Sequence, residues 1–294
     1  MWFQNLLYIC SVIVIYDTKI YNMIKISNLS FGYTKGRKIF DDLNLSFESG
    51  HIYGVLGPNG SGKSSLLNLI SGLLFPQSGS LSVQGLPSQK RQPEMLQNLY
   101  YIIEEIYVPN IKALDWVARY GYAYPRFQAS DYREYLKMFD IDLRQPADKM
   151  SMGQRKKMCL AFALACHTPL LLLDEPTNGL DIASSAVFRK ILARISAEDN
   201  CVLFASHHVR DMAQLIDQLL IFGPKNQLFM TSVEDVSRRF ATISYNGNTP
   251  PAQSIYHETN LLGGRALIPN TEGRDANIDF ELLYNAVVQG LISL

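Results

Sequence analysis

Gly57-Pro58-Asn59-Gly60-Ser61-Gly62-Lys63-Ser64 fits G-x-x-x-x-G-K-[ST], the phosphate-binding P-loop, and its flanks agree with it. An apolar run, His51-Ile52-Tyr53-Gly54-Val55-Leu56, leads in as a strand. Behind the loop, Ser65-Leu66-Leu67-Asn68-Leu69-Ile70 has helical apolar spacing. Glycines let the backbone wrap an anion, so that consecutive N–H groups and the helix N-terminus face the phosphates. In such a loop Lys63 reaches the β- and γ-phosphates and the Ser64 hydroxyl ligates Mg²⁺. The expected nucleotide-binding run is therefore Gly57 to Ser65. The plain alternative is a Gly-rich strand-to-helix turn that holds no ligand.

A chain of 294 residues can bury one large core, or a large domain plus a small one. Lys+Arg and Asp+Glu both number 27. That balance argues against nucleic acid as the main partner, because phosphate-backbone binders usually carry a basic excess. The four cysteines, Cys10, Cys159, Cys166 and Cys201, form no C-x-x-C pair and sit in apolar stretches. They read as reduced core residues of a cytosolic protein, neither a disulfide frame nor a metal site. No internal repeat is visible.

Trp2 to Tyr16 carries no basic residue and no acidic one, yet is shorter than the roughly 20 residues a spanning helix needs. It lacks the basic start and small-residue cleavage site of a signal peptide. Three readings stand: an upstream extension ahead of a start at Met23, an extra packed segment, or a weak membrane contact. The first sets the expected boundaries, an apolar extension over 1–22 and a main domain over 23–232. A small C-terminal region over 233–294 would follow.

Met23 to Phe31 begins with strand alternation, Leu43, Leu45 and Phe47 alternate again, and Ser78 to Gly85 is a short strand between turn signals. From about 90 to 150 the texture is helical. Tyr120, Tyr122, Tyr124, Phe127, Tyr132, Tyr135 and Phe139 there form an aromatic stripe expected to be core. Leu170-Leu171-Leu172-Leu173, Cys201 to Ala205 and Leu219 to Phe222 read as strands buried on both faces, as a parallel sheet requires. The fold class is α/β with a mainly parallel central sheet. Past Ser232 a helix near 233–240, short strands and a helix over 278–288 are expected.

Asp174-Glu175 ends the four-leucine strand. A carboxylate there can hold Mg²⁺, and the next can orient and deprotonate an attacking water. An acidic pair at a strand end is often only a solvated turn. This one follows a buried strand at its carboxyl end, where α/β sheets build their sites. Ser151-Met152-Gly153-Gln154-Arg155 ahead of it resembles the signature motif of ABC-type ATPases. Asp174-Glu175-Pro176-Thr177-Asn178-Gly179-Leu180-Asp181 is similar to that family's Walker B and D-loop run. Ser206-His207 falls at the next strand's end, where the family keeps its switch histidine, and Tyr33 falls where it stacks an aromatic on adenine. The resemblance spans about 24–223.

What the resemblance implies is a P-loop NTPase of the ABC ATPase type. It would have a central parallel sheet, an antiparallel β subdomain, a helical subdomain over about 90–150 and the small C-terminal unit. It implies a head-to-tail pair of such subunits, identical or closely related. ATP would lie between one protomer's P-loop and the other's Ser151, Gly153 and Gln154. His207 would hydrogen-bond the γ-phosphate, with His208 the less apt neighbour. Met150 and Met152 depart from the signature's usual Leu and Gly. Where the family has a Gln that senses Mg²⁺, Glu104 takes the place, or Glu105 with a one-residue shift. A carboxylate still accepts from Mg²⁺-bound water.

Lacking a spanning segment, the chain is expected to be the ATPase of an exporter, lying on the cytoplasmic side of the cell membrane. Tyr124-Pro125-Arg126-Phe127 resembles ATPases of bacterial drug, bacteriocin or lipid exporters. An integral membrane permease would dock on Ile106 to Val117, with Tyr107, Ile111 and Trp116 as its exposed patch. The rival readings are a soluble assembly or repair factor and a nucleotide-binding regulator without turnover. The transported substrate is not written in this chain.

Overall fold

The computed structural model describes residues 22–34, 36–195, 200–209, 212–224, 227–260 and 262–294. The apolar stretch 2–16 and Cys10 lie outside the described residues. Strand β1 (Asn22–Phe31) pairs antiparallel with β2 (Phe40–Glu48) on one side and β4 (Ser78–Val83) on the other. With β5 (Leu86–Pro87) they make a four-stranded sheet. Between them in sequence, β3 (His51–Leu56) leaves for a second sheet and leads into helix α1 (Lys63–Ile70).

That second sheet has the order β10-β9-β3-β8-β7-β6. Its members are β6 (Leu99–Ile102), β7 (Leu170–Asp174), β8 (Cys201–Ser206), β9 (Gln218–Phe222) and β10 (Leu228–Ser232). All pairs are parallel except the edge pair β10 and β9. The register places Leu56 opposite Ser206 and Asp174 opposite Ala205, so three strands end together beside the phosphate loop.

The four-leucine strand shows why both its faces must be apolar. Leu170 and Leu172 face a core shared with α1 and the antiparallel sheet, among Leu66, Leu67, Ile24 and Phe47. Leu171 and Leu173 face the opposite core with α5 (Met152–Ala165) and α6 (Ile182–Ile195), through Met158, Phe162, Phe188 and Ile191. Each such leucine contributes about 1.5–3 kcal/mol by leaving water. The second core continues into the C-terminal region, α7 (Val233–Arg239), the sheet β11 (Phe240–Asn246), β13 (Gly263–Pro269), β12 (Tyr256–Asn260), and α8 (Phe280–Val288). Val236, Phe240, Leu282, Leu283 and Val287 are buried in it. Cys159, Cys166 and Cys201 are buried and free.

Three sequence expectations need correction. The helical texture expected from about 90 starts with the short α2 (Pro93–Gln97) and is then interrupted by β6, the outer strand of the parallel sheet. A four-residue strand with two half-buried tyrosines shows no usable periodicity. Trp116 is not exposed but 8% accessible, packed 6.1 Å from Phe162. It shares the inward face of α3 (Ala113–Tyr120) with Ala113 and Tyr120, one helical turn apart on each side. Ile111 also packs partly against that core. Conversely, Tyr122 leaves the aromatic stripe for solvent at 85% exposure. Tyr132, Tyr135 and Phe139, on or just after α4 (Ala129–Met138), are buried as expected.

Candidate functional site

The loop between β3 and α1 turns on residues that cannot carry a side chain. A Cβ on Gly57 would lie 2.6 Å from Ser61 Oγ and 2.8 Å from Phe222 Cβ. Gly62, the residue before α1, has φ 111° and a hypothetical Cβ 2.8 Å from Ile39 Cγ2. Alanine at Gly62 is therefore expected to destabilise the protein by more than about 1 kcal/mol. A lowered thermal midpoint together with weaker ATP binding checks this.

Lys63 opens the helix, is buried, and donates from Nζ to the carbonyls of Gly57 (2.8 Å) and Pro58 (3.3 Å). Burial lowers its pKa, while Glu175, Asp174 and Glu104 pull it back up. At the end of β7, burial and the charges of Glu175 and Glu104 raise the Asp174 pKa, a shift opposed by the nearby Ser64 hydroxyl and by the charge of Lys63. Its Oδ2 accepts from Tyr101 Oη at 3.5 Å, whereas its buried Oδ1 has no hydrogen-bond partner. An orphaned carboxylate oxygen beside a serine hydroxyl fits a hard divalent cation. No group of three or more His, Cys, Asp or Glu is placed to hold a metal ion among the described residues. An ion here would thus draw on Ser64, Asp174 and phosphate oxygens.

Glu175 is buried and adopts the left-handed region at φ 46°, a conformation that costs about 1–2 kcal/mol for a residue with a Cβ. Its surroundings over-determine it. The N–H donates to Ala205 O at 2.9 Å, and the carbonyl accepts from Lys156 Nζ at 2.7 Å and from Asn178 N at 3.2 Å. Its carboxylate takes Ser206 Oγ at 2.9 Å on one oxygen. The other oxygen takes His207 N at 2.9 Å and lies 2.7 Å from His207 Nδ1.

Around these groups lies a cleft of about 510 Å³ lined by Tyr33, Asn59, Gly60, Gly62, Lys63, Ser64, Ser65, Glu104, Asp174 and Glu175. Tyr33 is 65% exposed, with its hydroxyl 3.1 Å from Ser65 Oγ, so most of the ring is open to stacking. His207 reaches the cleft through Glu175 and is not itself among the lining residues. Ser151 and Gln154 do not line it either. They close a capping box at the start of α5, each side chain bonded to the other's N–H. Gly153 lines a neighbouring hollow of about 430 Å³ with Met152, Lys156, Asn178 and Glu104. Glu104 thus borders both spaces, and its carboxylate accepts from Asn178 Nδ2 at 3.2 Å.

Arg37, Ser206, Asn178 and Lys156 were missed as site residues. Arg37 lines the cleft beside Tyr33. In the sequence it is one more basic residue near a turn, and nothing marked it. Ser206 stands beside the histidine already singled out, and a serine closing a buried strand was an available signal.

A family model described as ABC transporter matches residues 40–178. The ABC transporter ATP-binding protein YtrB of Bacillus subtilis is 28% identical over 199 residues, covering 67% of this chain and 68% of that one. The lantibiotic transport ATP-binding protein SrtF of Streptococcus pyogenes is 31% identical, covering 66% of this chain and 84% of that one. Among solved structures, an ATP-binding subunit of an ABC transporter superposes with a TM-score of 0.66 at 21% identity, over 74% of this chain and 92% of that one. With the phosphate loop and the acidic pair lining one cleft, and His207 bonded to Glu175, the chain belongs to the ABC transporter family, among its ATP-binding proteins.

Proposed function

We propose that this protein hydrolyses ATP, with Mg²⁺, to drive export through a separate membrane permease. One observation carries the reading: Lys63, Ser64, Asp174 and Glu175 line a single cleft at the carboxyl ends of parallel strands. Tyr33 would stack on adenine, worth about 1–3 kcal/mol by comparison with base stacking. Backbone N–H groups of Gly60 to Ser64 and the Lys63 ammonium would bind the phosphates. Ser64 and Asp174 would hold Mg²⁺, which would supply positive charge beside the phosphates, with Glu104 in the same cleft accepting from its water.

Glu175, fixed by Ser206 and His207, would take a proton from the water attacking the γ-phosphorus as the bond to the β-phosphate oxygen breaks. The capped start of α5, with Ser151, Gly153 and Gln154, lies outside this cleft. That placement supports a head-to-tail pair in which one protomer's helix N-terminus meets the other's ATP. No helix among the described residues is long and apolar enough to cross a membrane. The motor would then act from the cytoplasmic membrane face on a partner that spans it, and the lantibiotic-transport name of SrtF supports export.

The permease-docking surface has to be redrawn, because Trp116 is buried in the core and Ile111 packs partly against it. Of the expected stretch, Tyr107 and Leu114 remain, exposed by 85% and 44%, and Ile103 just ahead of it is 43% exposed. Tyr107→Glu or Leu114→Glu is expected to leave basal hydrolysis within about threefold and to strip the ATPase from its permease, since an unpaired charge at a buried interface costs several kcal/mol. Detergent co-purification reads this directly. Retained association together with retained transport would place docking elsewhere, and the lack of any membrane partner would favour a soluble factor.

A further inference from the structure

Lys63 and Lys156 are the buried lysines among the described residues, and the nucleotide cleft accounts for only the first. Lys156 lies in α5 just past its first turn and donates 2.7 Å to the main-chain carbonyl of Glu175. That carbonyl belongs to the residue held at φ 46°. The same helix touches the loop after Glu175 more directly still. A Cβ on Gly153 would lie 3.0 Å from Gly179 O, so the start of α5 sits against that backbone. Burial lowers the Lys156 pKa, and the charges of Glu104, Glu175 and Asp174 raise it.

We infer that Lys156 is a positioning residue for Glu175, holding its carbonyl so that the left-handed backbone presents the carboxylate to the cleft. A lysine suits the task, since its single ammonium at the end of a long stem reaches one buried acceptor. The arrangement has a consequence for the pair of subunits. The first turn of α5 is the segment proposed to meet the partner's ATP, and Lys156 follows it. A shift of that helix therefore reaches the base of its own site through one hydrogen bond. The inference rests on Glu175 being the base.

The test is a double-mutant cycle on the full chain, with Lys156→Met and Lys156→Arg made in the wild type and in Glu175→Gln. Lys156→Met is expected to lower kcat roughly 10–100-fold while KM for ATP stays within about threefold, the pattern of a misplaced base with binding intact. Lys156→Arg should restore most of that loss. In the Glu175→Gln background Lys156→Met should change the residual rate by less than about twofold, because both changes act on one step. Wild-type kcat in Lys156→Met, or an equal fold-loss in both backgrounds, overturns the inference. Should Lys156→Met fail to bind ATP, Lys156→Gln takes its place in the same comparison. A slow Glu175→Gln beside a normal Lys156→Met sinks the lysine alone, whereas a Glu175→Gln with wild-type hydrolysis sinks the base on which it rests.

Discussion

Glu175→Gln is expected to bind ATP normally and to hydrolyse it roughly 10²–10⁴-fold more slowly, the usual worth of a general base. The structure explains why binding should survive. An amide fills the same volume, and its carbonyl oxygen can take the position that receives His207 N at 2.9 Å. Its NH₂ would then meet Ser206 Oγ, a hydroxyl that already accepts from His208 N at 2.9 Å and can accept again. What is lost is the basic lone pair, together with the acceptor of the Ser206 O–H. Because unspent ATP keeps the proposed pair closed, this variant should also elute as an ATP-dependent dimer in size-exclusion chromatography. Turnover at the wild-type rate would remove Glu175 as the base. Slow turnover without a dimer would count against the head-to-tail pair.

The second large effect is expected from Lys63→Ala. Removing a charge-assisted contact to phosphate costs about 1.5–3 kcal/mol, a tenfold to hundredfold or greater rise in Kd. The loss reaches past the ammonium itself. Lys63 Nζ also bonds the carbonyls of Gly57 and Pro58, so the variant leaves the phosphate loop without those two ties. Calorimetric titration with ATP measures the change. An unaltered Kd would mean that phosphate is held elsewhere, and the cleft lined by Tyr33, Ser64 and Asp174 would lose its assignment.

Much of this molecule is written locally. His51 to Ile70 encodes a strand, an anion-wrapping turn and a helix in one short stretch, because glycine conformations and helix N-termini act over a few residues. Four consecutive leucines before Asp174 announce a strand covered on both faces, which only a parallel sheet between two layers provides. From that the α/β class and the placing of Asp174 and Glu175 at a strand end follow. Ser151 and Gln154 spell a capping box, and α5 starts there.

What remained belongs to contacts between segments remote in the chain. Trp116 reads as an interface aromatic until α3 is seen to turn it onto Phe162. β6 is too short to show a period and becomes a strand only because Leu170 to Leu173 offers it an edge. Glu104 meets Asn178, and Lys156 meets the Glu175 carbonyl, across separations that no periodicity reports. The sequence by itself determined which chemical groups this protein carries and the local turns that present them, since backbone conformation and apolar periodicity act at short range. Tertiary structure alone decided which polar groups become buried partners, because the desolvation that makes Lys156, Asp174 and Glu175 depend on one another exists only once the two layers have closed over the sheet.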